Sequence, residues 1–455
     1  MIRIASGQGF WGDLLSAPGD QVRGGPIDYL MLDYLAEVTM SIMQKQRARD
    51  PAQGYARDFV QVLSDILPDC VSRGIRIIAN AGGVNPRGCC EAVMQVARAA
   101  GLAGRLRVGT IIGDDLFGRL DALLAAGHEL RNLDTGEPLA SIRDRVLSAN
   151  AYIGARPIVD ALAHAADVVI TGRSTDTALT YAPMIHAFGW SAGDYDRLAA
   201  GVVAGHINEC GAQASGGNSL VGWREFGDTL SRVGFPIIVA SADGSFVVTK
   251  HPGTGGRVDR GVVSEQILYE LGDPRQYITP DVVADFATIQ LDDAGPDRVR
   301  VSGVRGGPPT GQLKVSISYA AGYKAVGTLV YVWPDAVEKA MLADRILRER
   351  LDRMRLSFDA VRTELVGWNA THGQLAGPPR ADAPEIELRI AVRAQAKGPV
   401  EAFTRELAPL ILTGPPGVTG FAGGRPRTQE IVAFWPALID RREIEPHLVV
   451  EVLDA

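Results

Sequence analysis

The chain has 455 residues, with 46 Lys+Arg against 53 Asp+Glu, a net charge of −7, and 46% hydrophobic and 22% charged residues. This is the composition of a globular protein of two or three domains, each long enough to bury a core. The acidic balance and the lack of a basic stretch disfavour nucleic acid as a partner.

The first half alternates short β-rich runs with helical stretches. Strands are expected at Ile2–Ala5, Tyr29–Leu32, Ile75–Ala79, Arg107–Ile112 and Asp167–Thr171, and helices at Tyr34–Arg47, Tyr55–Arg73, Cys89–Ala100 and Pro157–Ala166. Such alternation predicts a mostly parallel sheet with helices on its faces, a Rossmann-like α/β domain over residues 1–225. Asp194–Gln213 adds a helix with an apolar stripe at Leu198, Ala199, Val202 and Val203. The second half reads as an α+β domain over residues 226–455. It opens with a hairpin, Pro236–Ser241 and Ser245–Thr249, around Asp243-Gly244. Helices follow at Val263–Leu271, Asp335–Arg355 and Val400–Leu412, among strands at Arg298–Val301, Gln312–Ser318, Tyr323–Tyr331, Arg362–Gly367, Glu385–Arg393, Glu430–Trp435 and His447–Val452. Gly414–Arg427 is rich in Gly and Pro and reads as a surface loop.

Cys70, Cys89, Cys90 and Cys210 make neither a disulfide framework nor a zinc pattern. The N-terminus MIRIASGQG lacks signal-peptide character, and the longest apolar runs are strand-sized. A soluble, cytoplasmic protein without a metal site is expected.

The strongest chemical signal is Gly205–Asn218 (GHINECGAQASGGN). Here the apolar helix stripe continues as His206, Glu209, Cys210 and Gln213, so a core-facing side turns polar. Unpaired buried polar groups cost about 1–3 kcal/mol each, so this face needs partners or a cleft. In the functional reading His206 is a base, Glu209 orients it, Cys210 is a nucleophile and Gln213 donates to substrate oxygen. Against the nucleophile, a helix C-terminus raises a thiol pKa, and a Cys there is commonly a small core residue.

Thr171–Thr177 follows an apolar strand, the place where open parallel sheets bind ligands. A helix starting at Thr175 takes Ser174 as its cap, while Arg173 can fork onto an anion and Asp176 can accept a hydroxyl. The alternative is a plain capping turn with a surface Arg. Asn80–Gly88 repeats this architecture, with Asn80, Gly82 and Gly83 at a strand end, and a tight turn is an equal reading. Gly7–Gly12 formally matches GxGxxG, but Phe10, Trp11 and the Pro/Gly-rich Leu14–Gly25 argue against dinucleotide binding. Gly253–Gly256 lacks the Lys-Ser/Thr of a Walker motif.

Several runs occur together in order: Asp28–Glu37 (DYLMLDYLAE), Asn80–Gly83, Gly172–Asp176, Gly205–Gly211, Gly253–Val258, Glu265–Glu270 and Asp273–Asp281 (DPRQYITPD). In this combination the chain resembles the acyclic terpene utilization (AtuA) family over nearly its whole length. The resemblance implies a catabolic protein connected with citronellol- and geraniol-like compounds, whose breakdown runs through branched acyl-CoA intermediates. Some relatives carry a further C-terminal ferredoxin-like domain. This chain ends at Ala455 before any such addition, which implies a separately encoded small partner subunit.

The functional expectation is an enzyme acting on a carboxylate or acyl-thioester by hydratase- or lyase-like acid–base chemistry. His206, Glu209 and Cys210 do the chemistry, and Asn80, Gly82, Gly83, Arg173, Ser174, Asp176, Gln213 and Asn218 bind substrate. No cofactor is expected beyond coenzyme A as part of the substrate, and a homo-oligomer is expected. Cys-dependent acyl transfer or hydrolysis, and a non-catalytic assembly subunit of an acyl-CoA enzyme, are the alternatives.

Overall fold

The computed structural model describes residues 1–420 and 424–455. The chain forms two compact units, Met1–Ser318 with Phe434–Ala455, and Tyr319–Ala433.

The larger unit is organised on a ten-stranded sheet. Its spatial order is Gln290–Asp293, Val299–Ser302, Phe246–Lys250, Pro236–Ala240, Ile2–Gln8, Tyr29–Leu32, Arg76–Ala79, Val168–Thr171, Arg107–Ile112, Val449–Asp454. The run from Ile2–Gln8 to Arg107–Ile112 is parallel throughout. Tyr29–Leu32 and Val168–Thr171 are buried at every residue, as expected of continuous apolar runs covered on both faces. The helix Arg57–Arg73 buries Phe59, Val62, Leu63, Ile66, Leu67 and Cys70 at helical spacing in the core that also holds Leu30, Ile77 and Ile170. The helix Pro86–Ala99 begins three residues before the expected Cys89, with Pro86 in its first turn and the Asn85 side chain capping it by accepting from Gly88 N at 3.2 Å.

The sheet is mixed rather than mostly parallel. Pro236–Ala240 pairs antiparallel with Ile2–Gln8, with Ile238 opposite Ile4, and the hairpin at Asp243-Gly244 carries the sheet outward. Val449–Asp454 closes the other edge, antiparallel to Arg107–Ile112. The expected boundary at 225/226 therefore falls inside the larger unit, and strands expected in an α+β domain belong to the first sheet. The reason is physical: alternation identifies a strand and its buried face but does not name the strand beside it. An eight-residue helix, Ala17–Gly24, also occupies the Pro/Gly-rich segment, with Pro18 in its first turn where no N–H is needed.

In the smaller unit, Tyr323–Val332 pairs antiparallel with Glu385–Ala394, which pairs antiparallel with Ala360–Val366. Val418–Thr419 pairs with Val330 and Tyr331 on the opposite side, so the expected loop at 414–427 contains a short strand, and residues 421–423 of it lie outside the described residues. The helices Ala336–Arg353 and Lys397–Glu406 form the connections, and Leu347, Leu388, Ile390 and Phe403 lie in the shared core. Strand, helix, strand, strand, helix, strand along the chain, with the strands paired as above, is the ferredoxin-like arrangement, here within residues 319–433. Among the described residues no helix is long and apolar enough to cross a membrane.

Candidate functional site

Two adjoining cavities of the larger unit open where the parallel strands end. One, of about 570 Å³, is lined by Tyr152, Thr175, His206, Tyr277 and Lys314, with apolar wall from Leu133, Ile278, Pro280, Leu313 and Leu438. The other, of about 440 Å³, is lined by Phe10, Trp11, Asp33, Tyr34, Arg173, Cys210, Gln213 and Tyr269. Glu37, Asp176, Glu209 and Glu270 line both.

The helix Tyr195–Glu209 delivers the polar face. His206 Nδ1 lies 3.2 Å from Glu209 Oε1, with the His206 side chain 1% exposed. The imidazole is held edge-on by Tyr277 and Phe286, each with its ring centroid at 5.4 Å, and these two rings stack on one another at 4.7 Å. The Tyr277 hydroxyl is 3.5 Å from the same Nδ1. Burial lifts the Glu209 carboxyl to about 7, even against the pull of His206. Burial alone lowers His206, yet the Glu209 carboxylate and the backbone of Gln266 and Ile267 leave it raised. The pair thus holds a proton near neutrality. Among the described residues Glu209 Oε2 and His206 Nε2 are buried without a hydrogen-bond partner.

Arg173 is buried, and its guanidinium is engaged within the protein. Nη1 donates to Leu35 O at 2.8 Å and to Asp176 Oδ1, while Nη2 donates to the Tyr152 hydroxyl at 3.0 Å. Its plane lies over the Tyr152 ring at 4.3 Å. Tyr152 in turn donates to Glu37 Oε1 at 2.7 Å, and Lys314 Nζ stands 3.6 Å from that oxygen. The Tyr152 hydrogen bond and Arg173 hold the Glu37 carboxyl below its ordinary range, although burial opposes them. Asp33, directly after Tyr29–Leu32, accepts at Oδ1 from Asn80 Nδ2 at 2.7 Å and from Leu35 N at 3.1 Å.

Of the residues singled out in the sequence, Arg173, Asp176, His206, Glu209, Cys210 and Gln213 meet around these cavities. Asn80 is buried behind Asp33 and lines neither cavity; its Oδ1 accepts from Tyr34 N at 2.7 Å. Gly82 and Gly83 sit in a packed turn, where a Cβ on Gly82 would lie 2.6 Å from Thr171 O. Ser174 is buried and caps nothing: Thr175 N donates to Ile153 O at 2.9 Å, and the helix begins only at Ala178. Asn218 is exposed in a turn with φ +56° and lines neither cavity. Burial, with Glu209 beside it, pushes the Cys210 thiol well above its ordinary range.

Asp33, Glu37, Tyr152, Glu270 and Tyr277 were not selected from sequence. All but Tyr152 lie in runs that carry the family resemblance, and that was the available signal. Glu270 also has φ +53°, an uncommon backbone state for a non-glycine residue. Among the described residues no group of three or more His, Cys, Asp or Glu side chains is arranged to hold a metal.

A mixed α/β unit with a buried carboxyl–imidazole pair in a cleft at its strand ends is the class that this geometry defines. The family model for the acyclic terpene utilisation family protein AtuA matches residues 2–450, and the chain belongs to that family. The family name places it in catabolism of acyclic terpenes. Neither a search of curated proteins nor one of solved structures returned a match.

Proposed function

We propose that the cleft performs hydratase- or lyase-like acid–base chemistry on a branched acyl thioester, with Glu209 as the group that moves the proton. The observation that carries this reading is Glu209 itself: it lines both cavities, its Oε2 is unpartnered, and its carboxyl titrates at about 7. A base poised near the working pH combines the correct ionisation with proton-transfer drive. His206 lies deeper and contacts Glu209 through Nδ1, so it steers Glu209 and stabilises its ionised form. The roles expected from the sequence are therefore exchanged in this proposal.

The charge of the cleft favours the thioester over the free carboxylate. Asp33, Glu37, Asp176, Glu209 and Glu270 line it, the Arg173 guanidinium already pairs with Asp176, and Lys314 stands against Glu37. A free carboxylate would meet like charge, whereas a thioester carbonyl is neutral. The apolar wall of Leu133, Ile278, Leu313 and Leu438 suits a hydrocarbon chain. Coenzyme A enters only as the carrier of the acyl group. Cys-dependent acyl transfer draws no support from a half-buried thiol whose ionisation is suppressed.

The test is turnover of branched 3-hydroxyacyl- and 2-enoyl-CoA thioesters by the wild type and Glu209→Gln. The expected result is interconversion by the wild type and a loss of about 100-fold or more in the variant. Equal rates would remove Glu209 from the chemistry, and thioester binding without turnover would favour an assembly role.

A further inference from the structure

Hydration and its reverse need two proton-transfer groups, one for carbon and one for the departing oxygen, and Glu209 is one group. The second must reach the same cavity, be shielded from bulk water, and be fixed in place without using all of its hydrogen-bonding capacity.

Asp33 meets these conditions. It follows the central strand Tyr29–Leu32, is 4% exposed, and lines the cavity that Glu209 and Cys210 also line. Its Oδ1 is fixed by Asn80 Nδ2 at 2.7 Å and Leu35 N at 3.1 Å, and Asn80 is itself locked through Tyr34 N. Among the described residues both hydrogen bonds to the carboxyl fall on Oδ1 and none on Oδ2. One oxygen is therefore anchored from the protein side and the other is left to the cavity. Arg173, whose charge acts on Asp33, is committed to Asp176, Leu35 O and Tyr152.

We propose that Asp33 is the second proton-transfer group of this cleft, donating through Oδ2 to the hydroxyl that leaves a 3-hydroxyacyl thioester. This rests on the acid–base reading of Glu209. Glu209 takes the proton from the carbon next to the thioester carbonyl, and the C–H electron pair becomes the new C=C bond. The C–O bond breaks and the hydroxyl leaves as water with the Asp33 proton. The proton on Glu209 then returns to Asp33 through solvent, so no electron acceptor is required. Burial and the neighbouring Asp176 and Glu209 carboxylates support the protonated form of Asp33, against the pull of Arg173 and Asn80.

The experiment is a ¹³C NMR titration of the full chain labelled at the aspartate carboxyl carbons. It is joined to dehydration and α-proton exchange assays on a branched 3-hydroxyacyl-CoA. The Asp33 signal is assigned by its loss in Asp33→Asn, which keeps the Oδ1 acceptor, or by its shift in Asn80→Ser if that variant does not fold. The expected result is an Asp33 that keeps its proton well above the range in which an ordinary aspartate ionises, and a fall in dehydration of about 100-fold or more in Asp33→Asn, with α-proton exchange affected far less. An Asp33 ionised at neutral pH in an active enzyme, or an Asp33→Asn variant as fast as the wild type, overturns the assignment of Asp33 alone. A wild type with neither exchange nor dehydration overturns the acid–base reading and the role of Asp33 with it.

Discussion

A Cβ placed on Gly205 would lie 2.5 Å from the carbonyl oxygen of Thr177 and 2.6 Å from its Cα. The helix Tyr195–Glu209 is thus seated directly against the turn after the strand Val168–Thr171, which brings His206 and Glu209 to the same cleft as Arg173 and Asp176. Backbone cannot yield as a flexible side chain can, so any larger residue at 205 must push the two elements apart.

Gly205→Ala is therefore expected to lower stability by about 1–3 kcal/mol in urea unfolding. Gly118→Ala, where a Cβ meets nothing within 4 Å, should change it by less than about 0.5 kcal/mol. Equal effects of the two would show that the close approach is unimportant.

Arg173 is 1% exposed and bridges Asp176, Tyr152 and the Leu35 carbonyl. Arg173→Met leaves those groups without their cation, and breaking a buried pair in this way typically costs about 3–5 kcal/mol. Arg173→Lys restores charge but not the fork and should recover only part of the loss. Chemical denaturation of both variants checks this; a stable Met variant would mean that the network is dispensable.

The raised carboxyl of Glu209 has a consequence for stability. Its folded value of about 7 exceeds the unfolded value of about 4.3, so the folded state holds the proton more tightly. That contribution is complete below the unfolded value and is lost as pH rises through the folded one. Glu209→Gln, which cannot ionise, should gain in melting temperature relative to the wild type from about pH 4.5 to about pH 7 and level off above. A constant difference across that range would contradict a buried, raised Glu209.

Cys210 should alkylate slowly with iodoacetamide near pH 8, because burial and Glu209 suppress its thiolate. Cys210→Ser should keep turnover within a few-fold of the wild type. A large loss with rapid labelling would restore the covalent route.

Much of the larger unit was legible because its signals are local. Val168–Ile170 is an unbroken apolar run, and Asn85-Pro86 marks a helix start by capping chemistry alone. The polar face at His206 and Glu209 was legible for the same reason, since helical spacing makes a change of character on one side visible. Gln213 does not continue it, because the helix expected to run to 213 ends at Glu209 and Gly211, at φ +56°, turns the chain. Asp33 and Glu37 escaped because their importance depends on what surrounds them: Asn80, Tyr152 and Arg173 come from distant segments. Arg173 misled for the opposite reason. Its type and place at a strand end suit an anion clamp, and only the fold reveals that Asp176, three residues on, takes the fork. The domain boundary failed on pairing, because nothing within Pro236–Ala240 announces that Ile2–Gln8 is its neighbour.

The most direct measurement is the exchange of the hydrogens next to the carbonyl of a 3-methyl-branched acyl-CoA in deuterated water, followed by ¹H NMR with wild type and Glu209→Gln. Deuterium incorporation by the wild type, slowed by about 100-fold or more in the variant, is the predicted outcome. Incorporation no faster than in buffer alone, or the same in both proteins, would contradict a proton-moving Glu209 at the centre of this cleft.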